Sequence, residues 1–327
     1  MMRILRPIAR TILEAAAVVL APAIRLLAVY GFGSSYLLRR GALPLPVHFY
    51  SPVPDVADLV NRDVWSQRSE LPGIDFGSVA QLSLLQRLGE RFGAECTWPL
   101  AAPADPGAFH LDNSNFSFGC AAALHCMLRD LRPRRVIEIG SGNSSRVIAH
   151  ALALNGEEDR ATADYEVVDP YPADDVLSRL HWPCRVRRER VERTRVDSFS
   201  ALNAGDVLFI DSGHTVRIGG DVNFLFLEVI PRLAPGVVVH VHDVNLPYEY
   251  DRVYAVGQSG TFRKLWTEAY LLQAFLTFNH EWQVLLAMRY ILAEHLESFR
   301  RAFPQYDPSV HRYVSSSFWM RRRTHTA

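Results

Sequence analysis

Residues 134–152, RRVIEIGSGNSSRVIAHAL, decide the fold. The apolar run VIEI has the length of a buried strand and carries Glu138 at its tip. The chain then turns through Gly140 and Gly142 into SSRVIAHAL, whose apolar residues are spaced for a helix. A turn of this kind aims bare backbone N–H groups and a helix N-terminus at a ligand, and a strand-tip carboxylate holds hydroxyl or amino groups. An adenosine-bearing cofactor is the expectation. A dinucleotide fingerprint wants a third glycine where the helix packs close to the sheet, and Ser145 stands there instead.

Outward from this turn, strands and helices alternate. FSFGCAAALHCMLRDL precedes the turn as a helix, and YEVVDP follows as a second strand. PCRVRRERV reads as a third strand, DVLFIDS as a fourth, NFLFLEVIPRL as a helix and GVVVHVHDV as a fifth strand. WTEAYLLQAFLTF is a helix, and WQVLLAMRY and SSSFWMRR supply two final strands. The alternation predicts an α/β fold, a mostly parallel sheet with helices on both faces.

The acidic residue before the first glycine and the serines after the second resemble motif I of the class I S-adenosylmethionine-dependent methyltransferases. The resemblance covers residues 113 to 323 and implies a Rossmann-like, seven-stranded sheet whose last strand runs antiparallel. It implies S-adenosylmethionine as cofactor, its methionine part over Gly140, Ser141 and Gly142. The phrases SPVPD and LPGIDF also look like those of a bacterial subgroup of such enzymes.

Ligands in open parallel sheets bind beyond the carboxyl ends of the strands. Glu138, Asp169, Asp211 and Asp243 close four of the apolar runs. Asp169, in EVVDPYP, suits the ribose hydroxyls, since one carboxylate accepts from two vicinal OH groups; its separation from Gly140 is 29 residues against about 20 in the standard fingerprint, an excess matched by the polar insertion NGEEDRATAD. The alternative for Asp169 is an Asx-turn or helix cap before Pro170. The expected cofactor-binding set is Glu138, Gly140, Ser141, Gly142, Ser144, Asp169 and Asp211.

DSGH and HVHD bring Asp211, His214, His240, His242 and Asp243 to neighbouring strand ends. His240 and His242 share a strand face, with Asp243 on the other unless the strand has ended. His240, the deepest, also fits a core role. Two functional readings stand open. In one, His214 or His242 is a general base that takes a proton from a substrate hydroxyl, with Asp243 completing the catalytic set. In the other, Asp211 and Asp243 bind a divalent cation such as magnesium that activates the substrate oxygen. Catechol-type and sugar O-methyltransferases resemble this chain in those acids, but Val244 stands where they have a second oxygen ligand, and Asn245 substitutes only if the loop bends. A facial set of two histidines and one carboxylate is a further alternative, which would suit an iron oxygenase on the same fold. NLPYEYDRVYAVGQSGTFRKLWTEAYL, with Tyr248, Tyr250, Tyr254 and Trp266, reads as a lid or substrate wall or as a surface loop. Phe116 and Phe118 line the cofactor pocket or belong to the core.

The 327 residues carry zero formal net charge, so no global field draws nucleic acid to the chain. Four cysteines without a C-x-x-C pair argue against a disulfide scaffold or zinc site, and a reducing, cytoplasmic compartment is expected. In the first thirty residues, Arg3, Arg6, Arg10, Glu14 and Arg25 share a sector of roughly 100°, with Ile8, Ile12, Val19 and Leu26 opposite. The uncharged run Ala15 to Ile24 is ten residues and contains Pro22, against roughly 20 for a membrane span, so a crossing is not expected. Nor does a convincing cleavage site follow it. The helix either packs on the protein or on a second copy, or lies on an anionic membrane surface. Proline-rich GALPLPVHFYSPVP reads as a connector. The expected organisation is an amphipathic helix and linker over 1–42, a helical cap over 43–112 and a cofactor-binding domain over 113–327. Together these readings point to methyl transfer onto a small-molecule or saccharide hydroxyl; the rivals are the metal oxygenase and a non-catalytic platform that binds the cofactor.

Overall fold

Val136, Ile137 and Ile139 in β1 (Arg135–Ile139), every residue of β4 (Val207–Ile210) and every residue of β5 (Val238–Val241) are buried. Continuous apolar runs of this kind belong at the centre of a sheet covered on both faces. In the computed structural model, which describes residues 2–113, 115–160, 162–257, 263–310 and 314–324, they form the middle of a seven-stranded sheet with order β3-β2-β1-β4-β5-β7-β6. β2 is Asp164–Val168, β3 is Arg185–Arg187, β6 is Trp282–Ala287 and β7 is Phe318–Arg322. β1 pairs in parallel with β2 and β4, and β7 runs antiparallel to both β5 and β6. The expected mostly parallel sheet with an antiparallel last strand is therefore the observed one.

Three expected elements are trimmed, each for a local reason. The third strand shrinks to three residues at the sheet's outer edge, where Arg187 pairs with Glu166 at 2.5 Å. WQVLLAMRY stops being a strand at Ala287, whose N–H is taken by Gln81 Oε1 at 2.8 Å; the chain continues as the helix Met288–Glu294. NFLFLEVIPRL is α-helical only in Asp221–Phe224, then widens into a π turn and tightens into a 3₁₀ turn containing Pro231. Proline lacks the N–H that would continue the ladder.

Two compact units are present. The larger, residues 68–249 with 266–327, holds the whole sheet. In it the helix Ser78–Phe92 buries Leu85, Leu88 and Phe92, and Gly89 lies so close to Ala302 that a Cβ would sit 2.6 Å from that backbone. The helix Phe118–Leu131 begins at Ser117, whose Oγ accepts from the Cys120 N–H. Cys120 and Cys126 are buried in it as small apolar groups, and Cys126 Sγ lies 3.6 Å from that of the free thiol Cys96.

The smaller unit is residues 1–67 with 250–265. Its main element is one helix, Met2–Tyr30, which runs through Pro22 without a break. The stretch Arg10–Tyr30 is 21 residues with mean hydropathy 2.1, and none of it is buried. The uncharged run within it is still the ten residues Ala15 to Ile24, but by length and composition the whole stretch, at about 1.5 Å per residue, is long enough to cross a bilayer. Gln258, Ser259, Gly260, Thr261 and Phe262 of the expected lid lie outside the described residues.

Candidate active site

The ends of β1, β2 and β4 are stitched together beyond the strands. Gly140 N–H donates to Val168 O (3.1 Å) and Asp211 N–H to Ile139 O (2.9 Å). Between these tips lies a cavity of about 400 Å³ lined by Gly140, Ser141, Asp169 and Asp211, among others. Gly140 has φ +84, and a Cβ there would stand 2.1 Å from Asp211 O, so only glycine fits. Gly142 differs: a Cβ would meet nothing within 4 Å. Ser141 Oγ donates to Asp169 Oδ2 at 2.8 Å and accepts from Ala173 N–H at 3.1 Å. Asp169 Oδ1 accepts from Tyr171 N–H at 2.8 Å. Asp169 thus forms the Asx-turn named as its alternative role and still lines the cavity.

Glu138, Gly142 and Ser144, expected to touch cofactor, do not line the cavity. Fully buried, Glu138 accepts from Ser144 Oγ (2.6 Å), Ser145 Oγ (2.8 Å) and Tyr165 OH, and so fastens β1 to the first turn of the helix Asn143–Asp159. This explains why a serine occupies the third glycine position. Burial pushes the Glu138 carboxyl up to about 7, although the donors from Ser144, Tyr165 and Ser145 pull the other way. Its folded-state pKa lies above the usual 4.5, so its contribution is fully present below that value and is lost as pH rises through about 7. We expect wild-type stability to fall by about 3 kcal/mol across that window on account of this group. Glu138→Gln, which cannot ionise, should flatten the fall in urea titrations at pH 5 and pH 8; equal slopes would refute the assignment.

Asp211, His214, Asp243 and Glu268 meet at the ends of β4 and β5. His214 Nε2 is 3.2 Å from Asp211 Oδ1 and 3.7 Å from Asp243 Oδ2, while Nδ1 is 2.8 Å from Glu268 Oε2. Single ligand atoms of Asp211, His214 and Asp243 lie within 4.8 Å of one another. β5 ends at Val241, and φ values of +54 at His214 and +55 at Asp243 turn both residues into the cluster. Such left-handed conformations cost energy outside glycine and are held by their surroundings; Ser316 Oγ donates to Asp243 Oδ1 at 2.9 Å. Burial would raise the Asp211 carboxyl, but the neighbouring His242 and His214 bring it down to about 2. Burial likewise opposes charge on His214, yet its contacts with Asp211 and Glu268 push its pKa well above the ordinary value.

That last shift argues against the general-base reading of His214. An imidazole with a carboxylate on each nitrogen carries both protons at neutral pH and has no lone pair to offer. His242 stacks on Phe116 at 4.9 Å, with Nε2 3.8 Å from Asp243 Oδ1. His240 takes the core role: it stacks on Phe209 at 4.0 Å and meets Trp319 at 4.7 Å, both nitrogens lack a hydrogen-bond partner, and burial drives its pKa well below normal. Among the described residues the ligand-capable group is therefore two carboxylates and one histidine, not the two-histidine set of the oxygenase alternative.

Of the expected lid aromatics, Trp266 packs on His214 at 4.5 Å. Tyr248 OH instead donates to Glu294 (2.8 Å). Phe118 is core, against Phe299 and Phe303. Sequence reading missed Arg190, Val191, Glu192, Arg217 and Asp221, which line the cavity from a 3₁₀ turn, a loop and the first residue of a short helix, none carrying a motif. It also missed Glu268, 54 residues from its partner.

A family model described as a methyltransferase domain matches residues 137–244. An uncharacterized protein of Archaeoglobus fulgidus is 28% identical over 151 residues, which is 43% of this chain; the chain spans 65% of that relative. A solved Thermobifida fusca structure, described as that of a candidate methyltransferase, is 12% identical with a TM-score of 0.37, over 80% of this chain and 97% of its own. The family match runs from inside β1 to just past β5, the span that supplies the cavity together with Asp211, His214 and Asp243, so residues 137–244 are similar to a methyltransferase domain.

Proposed function

We propose that this chain binds S-adenosylmethionine at the glycine turn and transfers its methyl group to a hydroxyl of a small molecule or saccharide. The observation that carries the reading is the cavity at the tips of β1, β2 and β4, floored by a glycine that no other residue could replace. When bound, the cofactor supplies a methyl group already activated on a sulfonium, so alignment accounts for much of the remaining barrier. Asp169, fixed by Ser141 and the Tyr171 N–H, is preorganised to accept from the ribose hydroxyls. Glu192 and Asp221 line the same cavity beside Arg190 at 3.8 Å and Arg217 at 3.7 Å, so Asp169 and Asp211 are the lining carboxylates without an arginine partner and leave the cavity favourable for a cationic ligand. Asp243 takes the acceptor's proton, and the charged His214 holds Asp243 and Asp211 apart at one fixed spacing.

Isothermal titration should show S-adenosylmethionine and S-adenosylhomocysteine binding at micromolar dissociation constants, with Asp169→Ala weakening both by about 10- to 100-fold. Binding of NAD in their place would overturn the cofactor assignment.

A second reading is favoured by the close approach of Asp211, His214 and Asp243. A divalent cation such as magnesium would find two carboxylates and, once it displaces the Nε2 proton of His214, an imidazole whose far nitrogen is held by Glu268, the usual arrangement behind a metal-bound histidine. Bound there, it would lower the pKa of the acceptor hydroxyl. Magnesium or manganese that binds wild type and not Asp243→Asn, and activity that chelator removes, would select it over proton removal by Asp243 alone.

A further inference from the structure

The helix Met2–Tyr30 is uncovered along its apolar length: Ile12, Leu13, Val18, Val19, Leu20, Ile24, Leu26 and Val29 are between 45% and 78% exposed. Surfaces this large and contiguous mark an interaction site. Their arrangement says what covers them. At about 100° per residue the charged positions Arg10, Glu14 and Arg25 fall in one stripe along the helix, and apolar residues occupy the remaining arc. Arg10 Nε and Glu14 Oε1 are paired at 2.9 Å on that stripe. The helix is followed by exposed aromatic residues, Tyr30 stacked on Phe32 at 5.8 Å and then Tyr36, a residue class that prefers the headgroup level of a bilayer.

A span across the bilayer would satisfy the apolar residues but would bury Glu14 and Arg25 among acyl chains, because both lie inside the stretch Arg10–Tyr30. A helix lying in the plane of the membrane keeps the whole stripe in the headgroups while its apolar arc enters the acyl boundary. The first thirty residues of the sequence hold four arginines and one glutamate, a net side-chain charge of +3, so anionic lipid is the complementary surface. We propose that the helix Met2–Tyr30 docks in plane on an anionic phospholipid leaflet and tethers the enzyme to it. The proposal does not depend on the cofactor assignment.

The full chain should sediment with phosphatidylglycerol-containing vesicles and much less with pure phosphatidylcholine. Arg10→Glu together with Arg25→Glu should weaken binding by at least about tenfold, and Val19→Glu should abolish it while the thermal transition stays in place. Binding that survives high salt, alkaline extraction and the arginine reversals would indicate a spanning helix and overturn the in-plane assignment. Self-association without vesicle binding would overturn it in favour of a second copy of the chain, and removal of the helix by processing in cells would overturn it in favour of a cleaved leader.

Discussion

Gly142→Val should remove binding of S-adenosylhomocysteine while leaving the protein folded, and Gly140→Ala should damage the fold itself. The two glycines stand two residues apart but face different neighbours. At Gly142 a Cβ meets nothing within 4 Å, so the isolated chain tolerates the branch, while the methionine part of the cofactor, if it lies over this turn as proposed, would meet it; Gly142 itself stands just outside the cavity lining. The stability cost is that of a poorer helix cap, about 1 kcal/mol, a fall of roughly 2–4 °C in Tm. The affinity loss should be at least about 100-fold, roughly 2.8 kcal/mol. At Gly140 the added carbon would stand 2.1 Å from Asp211 O with φ +84, so β1 and β4 must separate at the point where Asp211 N–H meets Ile139 O. Left-handed strain and overpacking each cost about 1–3 kcal/mol, so Tm should drop by roughly 5–15 °C. Titration calorimetry and thermal denaturation on both variants separate the effects. If Gly142→Val binds the ligand as wild type does, the cofactor does not sit over this turn.

The sheet was legible because its central strands are near-continuous apolar runs and because Gly140 marks the turn at the end of the first of them. VIEI, VLFI and VVHV declare buried parallel strands, and the switch to helical spacing after Gly142 declares the crossover. Boundaries were less legible where a partner distant in sequence decides them. Gln81 ends β6 by taking the Ala287 N–H, 206 residues away. The cofactor face was read from its strand-end acids, and Asp169 and Asp211 do line the cavity. Glu138 carries the same chemistry at the same kind of position yet faces inward, because Tyr165 on β2 and two serines on the next helix claim its oxygens. No local pattern distinguishes the two orientations. The charge state of His214 was hidden for the same reason: the residue that fixes it, Glu268, belongs to a helix beyond β5.

Glu268→Ala should produce the largest loss of activity outside the cofactor turn, and Glu268→Gln a smaller one. Glu268 is fully buried, and burial raises its carboxyl pKa even though His214 pulls it down. One oxygen holds His214 Nδ1 at 2.8 Å, while its own N–H donates to His214 O at 3.1 Å. Alanine removes the partner of a buried imidazolium and leaves a void beside it, a change that costs about 3–5 kcal/mol. His214 would then be free to rotate, and the fixed spacing between Asp211 and Asp243 would go with it. Glutamine keeps the shape and an acceptor for Nδ1–H but loses the charge, so the ring stays placed while its positive charge is less supported. We expect kcat to fall by about 10- to 100-fold for glutamine, the range found when a residue orienting a functional histidine is replaced, and by more for alanine. Affinity for S-adenosylhomocysteine should stay near wild type in the glutamine variant, because Glu268 does not line the cavity. A glutamine variant with full kcat would reduce Glu268 to a packing residue, and a parallel loss of cofactor affinity would mean that its effect travels through the fold rather than through His214.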